Sequence, residues 1–130
     1  MSDIEPALRE LVRSRAAGVC EYCRISERFT LAEHEIDHVI AVKHGGQTGL
    51  ENLALCCVVC NRFKGSDIAS IDPETGQLTP LFHPRLDSWD DHYEFRNGEI
   101  LGLTATGRAT VRLLRMNRPT RVKERQFLPR

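Results

Sequence analysis

Cys20-Glu21-Tyr22-Cys23, then Glu35-Ile36-Asp37-His38-Val39-Ile40, Gly45-Gly46 and Asn52-Leu53, and finally Cys57-Val58-Val59-Cys60-Asn61-Arg62-Phe63-Lys64-Gly65 form the stretch that decides the fold. Its two ends are C-x-x-C turns. Each such turn places two thiolates on one side of an ion, and two turns close a tetrahedron with no open position. Cys57 follows Cys23 by 34 positions, a gap longer than in a compact zinc ribbon, so something folded sits between the knuckles. The spacing reads as a structural zinc ion held by Cys20, Cys23, Cys57 and Cys60. A redox dithiol is the competing reading, but there are two pairs and neither lies in an evident strand–helix redox context. The fifth cysteine, Cys56, has no spacing partner and reads as a small buried apolar residue. An odd count suits thiols and metal ligands of a reducing compartment better than disulfides.

Between the knuckles, Asp37 and His38 are adjacent. On a strand they point to opposite faces, but at a strand end or bulge both can face one cavity. A carboxylate is a hard ligand suited to Mg2+ or Mn2+. A neutral imidazole can take a proton from water near neutral pH. Together they make a metal-plus-base hydrolytic pair, although an Asp-His dipeptide alone is a weak signal. The spacing adds to it: His38 precedes Asn52 by 14 positions and Asn61 by 23.

In that order and spacing, residues 20–65 resemble the HNH endonuclease family, whose Asp-His, Asn and His-or-Asn pattern forms a ββα-metal site. Many bacterial and phage members carry two flanking C-x-x-C pairs. A looser likeness to extensions of bacterial HNH proteins runs through Phe82-His83-Pro84-Arg85, Trp89-Asp90-Asp91-His92 and residues 102–111. The resemblance implies that His38 is the general base and Asp37 a ligand of the catalytic ion. It implies that Asn61 is a second contact to that ion or sits beside it, where many members have histidine. Asn52, counted among the catalytic residues, would hold the loop and orient the imidazole through a backbone contact. Lys64 and Arg62 would touch phosphate. The implied activity is hydrolysis of DNA phosphodiester bonds, leaving 5′-phosphate and 3′-hydroxyl ends, with Zn2+ structural and Mg2+ or Mn2+ catalytic. The alternative is a zinc-stabilised nucleic-acid-binding module without catalysis; a redox or metal-storage protein is a third class.

Taken one at a time, several of these residues also have plainer readings. Asn52 is a common turn former and Gly45-Gly46 a flexible turn. His34, His44, His83 and His92 read as surface histidines. Arg62 and Lys64 read most simply as a solvated helix face.

Outward from the core stretch, residues 3–17 read as a helix, with Asp3 as cap, Pro6 in the first turn, Ile4, Leu8, Leu11 and Val12 on one face, and Gly18 as the stop. Residues 29–42 have strand character through Ile36, Val39, Ile40 and Val42. A short helix is expected from about residue 57 to Gly65. Residues 72–91 are acidic and proline-bearing and read as loops. Residues 93–103 read as a hairpin turning at Asn97-Gly98. Thr104 or Thr106 caps a helix reaching about Met116, and Asn117 caps another with Pro119 in its first turn.

The chain has 130 residues, 18 basic and 18 acidic, and is 41% hydrophobic. That balance excludes disorder from excess charge, and its longest apolar run, residues 53–60, is far short of a membrane span. The polar opening shows no basic-then-apolar signal, so the expectation is a cytoplasmic chain with no membrane partner. Zero net charge hides an asymmetry: residues 108–130 carry +7 and residues 1–107 carry −7. The basic segment suggests a polyanion partner, with Arg108, Arg112 and Arg115 as candidate DNA-backbone contacts. The plainer alternative is a helical face that pairs with the acidic remainder. The expected architecture is α+β: one small domain, residues 1–130, with a ββα-metal core at about 18–67, zinc knuckles, an N-terminal helix and a C-terminal helical extension at about 70–130. The oligomeric state is left open.

Overall fold

The structure, a computed structural model, describes residues 4–127. Asp3, expected to cap the first helix, lies outside the described residues, as does Arg130. Helix α1 spans Pro6–Ala16, with Glu5 at the cap position making no side-chain bond. It stops where Ala17 turns left-handed (φ 54°), one residue before the expected glycine; Gly18 continues the turn at φ 74°. Val12 is fully buried against Leu53 and Leu55, with Ile4, Leu8, Ala16 and Ile36 around it. Burying a side chain of this kind contributes about 1.5–3 kcal/mol. Leu11 does not join this face and is 53% exposed, because α1 rests on one narrow strand.

That strand is β2, Leu53–Cys56, paired antiparallel with β1, Glu35–His38; Glu35 lies opposite Cys56 and His38 opposite Leu53. The strand expected over residues 29–42 is therefore much shorter. It is preceded by a 3-10 turn at Glu27–Phe29, and its ladder ends just past His38, where the Asn52 side chain takes both the N–H and the C=O of Ile40. Helix α2, Val58–Lys64, follows β2 directly and packs on β1. Cys57 caps it, its Sγ accepting from the Cys60 N–H. The result is a β–β–α unit with both knuckles at its base.

Residues 72–91 are more regular than their composition suggests. Strands β3, Ala69–Ile71, and β4, Leu78–Pro80, form a hairpin. Asp72 closes its turn: its N–H donates to the Gln77 carbonyl and its carboxylate accepts from the Glu74 N–H and the Thr75 hydroxyl. Pro80 sits at the strand end, where a missing N–H is tolerated. A short helix, α3, Trp89–His92, leads into β5, Tyr93–Arg96, and β6, Glu99–Gly102. The β5–β6 turn is Asn97-Gly98 with both φ positive (50° and 86°), which the twist of a tight hairpin favours.

Helix α4, Ala105–Leu113, starts at Thr104, whose hydroxyl accepts from the Gly107 N–H at 3.0 Å. Gly107 presses on the His92 carbonyl, where a β-carbon would collide. Helix α5, Pro119–Gln126, is capped by position 118, not by Asn117. The Asn117 side chain instead hydrogen-bonds both backbone groups of Ile100. One buried cluster joins Cys20, Tyr22, Cys23, Ile25, Val39, Cys57 and Cys60 to Phe82, Trp89, Tyr93, Ile100, Leu114 and Met116. The Trp89 indole N–H donates to the Tyr22 carbonyl at 3.0 Å and ties the two halves together. The protein is thus a small α+β domain. Among the described residues no helix is long and apolar enough to cross a membrane.

Candidate functional site

His38 ends β1, half-buried, with its Nε2 2.8 Å from the Thr48 hydroxyl. The loop that brings Thr48 there is fixed by Asn52, itself buried. Its Oδ1 accepts from the Ile40 N–H, and its Nδ2 donates to the carbonyls of Ile40 and Gln47 at 2.9 and 2.8 Å. Its backbone carbonyl accepts from the Val39 N–H. Four bonds from one residue hold the backbone on both sides of the loop that follows His38. Gly46 lies so close to the Ile40 carbonyl and the Asn52 amide that no side chain fits, so it is a seat for the loop more than a flexible turn.

Asp37 points to the other face, as alternation along a strand requires, so it and His38 do not face one cavity as expected of a strand end. It is buried. The Tyr22 hydroxyl donates to its Oδ2 at 2.9 Å, and the Lys64 ammonium lies 3.2 Å from the same oxygen. Burial pushes the Asp37 carboxyl above its ordinary range, while Lys64 and Tyr22 pull against that shift. Burial and the nearby carboxylate push the Tyr22 phenol well up, so it remains a donor. Lys64 is 2% exposed. This corrects its reading as a solvated helix face or a phosphate contact: the last turn of α2 lies against β1 and turns the ammonium inward. Arg62 on the same helix is exposed.

Asn61, also on α2, donates from Nδ2 to Glu35 Oε1 at 2.6 Å. Glu35 and Asp37 share one face of β1, two residues apart, so the helix and that face present two carboxylates and an amide. These are hard oxygen donors, the kind that Mg2+ and Mn2+ take. Asp37 Oδ2 is already paired with the buried Lys64 ammonium, so an ion at that oxygen would displace the lysine.

At the base of the unit the four thiols of Cys20, Cys23, Cys57 and Cys60 are buried, and their sulfurs all lie within 4.8 Å of one another. Cys23 and Cys57 Sγ are 3.8 Å apart. A tetrahedron with Zn–S bonds of about 2.3 Å has edges of about 3.8 Å, and a disulfide needs about 2.05 Å. The four cysteines are therefore positioned to form a zinc site. Cys56 is free and fully buried beside them.

The basic C-terminal segment does not form a single outward face. Arg108 is engaged by Asp72 through Nε and Nη2 at 3.0 and 2.9 Å, which removes it from the candidate DNA contacts as a free cation. Arg121 and Arg125 are buried. Arg112 and Arg115 are exposed, and the Arg115 guanidinium lies over the Phe63 ring of α2 at 4.8 Å, close in sequence to Arg62. Of the histidines read as surface groups, His34 is 1% exposed and bonds the Ile25 carbonyl through Nε2. His92 Nδ1 is 2.6 Å from the Thr104 hydroxyl, and His83 Nδ1 accepts from the backbone of Arg85 and Leu86. His44 is exposed.

Sequence reasoning missed Glu35, Thr48 and Tyr22. Glu35 carries a signal, because a carboxylate two residues from Asp37 on a strand shares its face. The other two reach the site through turns whose path no local pattern fixes.

The family model described as HNH endonuclease matches residues 20–67, from the first cysteine of the first knuckle to just past α2. Residues 20–67 are thus similar to an HNH endonuclease domain, and the cysteine cluster within them is placed for zinc. No curated protein matches it.

Proposed function

We propose that the protein is a divalent-metal-dependent endonuclease that hydrolyses phosphodiester bonds in DNA, with its zinc knuckles structural. The observation that carries the proposal is the placement of His38 at an accessible strand end beside a loop locked by Asn52, within the segment matched by the HNH model. His38 takes the proton of the attacking water at Nε2, exchanging the Thr48 hydroxyl for that water. Asn52 keeps the loop beside the imidazole in place. Asp37 and Asn61, with Glu35 beside them, would hold one Mg2+ or Mn2+ once Asp37 gives up the Lys64 ammonium and turns toward the face of His38. When bound, that ion supplies positive charge against the phosphorane and the leaving 3′ oxygen. Arg62, Arg112 and Arg115 supply exposed positive charge for the phosphate backbone, and binding weakens as salt rises. A supercoiled plasmid incubated with zinc-loaded protein tests this: it should be cut only when Mg2+ or Mn2+ is added.

A second reading is favoured by one observation. Asp37 is sealed by Lys64 and Tyr22, an arrangement that also suits a zinc-stabilised nucleic-acid-binding module with a structural Asp-His pair. A mobility shift on the same plasmid without cleavage under either ion supports that module.

A further inference from the structure

Two arginines of α5 have no outward role. Arg121 and Arg125 are 5% and 4% exposed, and their i, i+4 spacing puts both on one helix face. Arg125 ties chain segments together: it donates to the carbonyls of Gly98 and Met116 at 2.6 Å each, to Asn117 Oδ1 at 3.1 Å and to the Cys23 carbonyl at 3.4 Å. Arg121 is different. Its Nη2 lies 3.9 Å from Cys57 Sγ, while its buried Nε and Nη1 have no hydrogen-bond partner. Its carboxylate neighbour is the part-exposed Glu124, 3.5 Å from Nη1. A guanidinium this buried needs an anion, because a desolvated charge is tolerated only when paired. Four thiolates on one Zn2+ carry two net negative charges, and they lie where Arg121 points.

We propose that Arg121, anchored by Arg125 on the same helix face, is a charge-balancing hydrogen-bond donor to the zinc thiolates, so that α5 locks the metal centre. This rests on the reading of the cysteine quartet as a zinc site. Arg121 donates N–H to the Cys57 sulfur and offsets part of the dianionic charge. Arg125 holds the first knuckle through the Cys23 carbonyl. One turn of α5 thereby grips both knuckles, and part of the basic tail has its polyanion inside the molecule.

The test is the rate of zinc release to a chromogenic chelator from the folded full chain, for wild type, Arg121→Gln, Arg121→Lys and Val122→Ala. Val122 lies on the same helix against the Gly98 turn, so its truncation loosens α5 without touching a thiolate. Arg121→Gln should release zinc at least about tenfold faster, as loss of groups that hold metal ligands commonly does. Arg121→Lys, which keeps the charge, should fall between, and Val122→Ala should stay within about twofold of wild type. If Arg121→Gln does not fold, the Lys variant against Val122→Ala carries the same comparison. Equal rates for wild type and the Arg121 variants, or an equal acceleration by Val122→Ala, overturns the proposal. Wild-type protein purified without zinc, and unable to take it up, overturns the zinc reading itself.

Discussion

The Lys64 ammonium sits 3.2 Å from Asp37 Oδ2, with both side chains almost wholly buried. One partner ends the helix and the other lies on the strand, so this pair fastens α2 to β1. Removing one member leaves the other charged and desolvated. Lys64→Met should therefore destabilise the protein by about 3–5 kcal/mol. Adding Asp37→Asn should recover a large part of that loss. Urea unfolding of the two single variants and the double variant measures the coupling, and additive losses would show the pair to be independent.

Asn52 holds both backbone groups of Ile40 and the Gln47 carbonyl. Asn52→Ala leaves these groups without their partner, at about 1–3 kcal/mol for each one that stays buried. Amide hydrogen exchange should show the Ile40 amide losing its protection, while the Val12 amide in α1 keeps its own. Uniform protection at both sites would mean that the loop does not depend on Asn52.

The Arg108–Asp72 pair gives a pH dependence of definite sign. Hydrogen bonds from Arg108, helped by the Glu74 N–H and the Thr75 hydroxyl and opposed by burial, hold the Asp72 carboxyl well below the usual carboxylate range. A carboxyl depressed on folding stabilises the native state above its unfolded pKa, near pH 4, and loses that contribution as pH falls further. Wild type should therefore be more stable than Asp72→Asn at pH 7, and the gap in melting temperature should hold down to about pH 5, where the carboxyl is still charged and the zinc thiolates are still bound, and be lost only below that. No gap at pH 7 would remove the ion pair as a source of stability.

Chelation of the knuckle metal, or Cys57→Ser, should abolish the cooperative thermal transition. The binding free energy of a structural zinc ion is part of the folding free energy, and here the four sulfurs sit inside the main buried cluster. Calorimetry of metal-stripped protein checks this; a sharp transition at the original temperature would contradict a structural role.

What could be read from sequence was set by local chemistry. Asn97-Gly98 needs positive φ at both positions, and Thr104 offers a hydroxyl to a helix start, so both were legible from a few residues. The C-x-x-C pairs were legible because metal geometry imposes their spacing. The strand at residues 29–42 was overextended because β-branched side chains mark a preference, whereas the Asn52 side chain, far along the chain, ends the ladder. The β3–β4 hairpin was hidden because its turn is organised by the Asp72 side chain and backbone within an acidic stretch. Lys64 reads as a solvated or phosphate-facing cation and the basic tail as one surface, since charge predicts exposure unless a buried partner exists, although pairing of the tail with the acidic remainder is the alternative that Arg108 follows. Asp37 for Lys64, Asp72 for Arg108, the cysteine cluster for Arg121 and backbone carbonyls for Arg125 are such partners, and only the fold brings them together.

The account rests most directly on His38. Zinc-loaded wild type and His38→Ala should be compared on a supercoiled plasmid with and without Mg2+ or Mn2+, alongside a mobility shift and a melting curve. The account predicts metal-dependent cleavage by wild type and a loss of at least about a hundredfold in the variant, the usual contribution of a general base, with DNA binding and melting temperature unchanged. Cleavage by His38→Ala at the wild-type rate would contradict it.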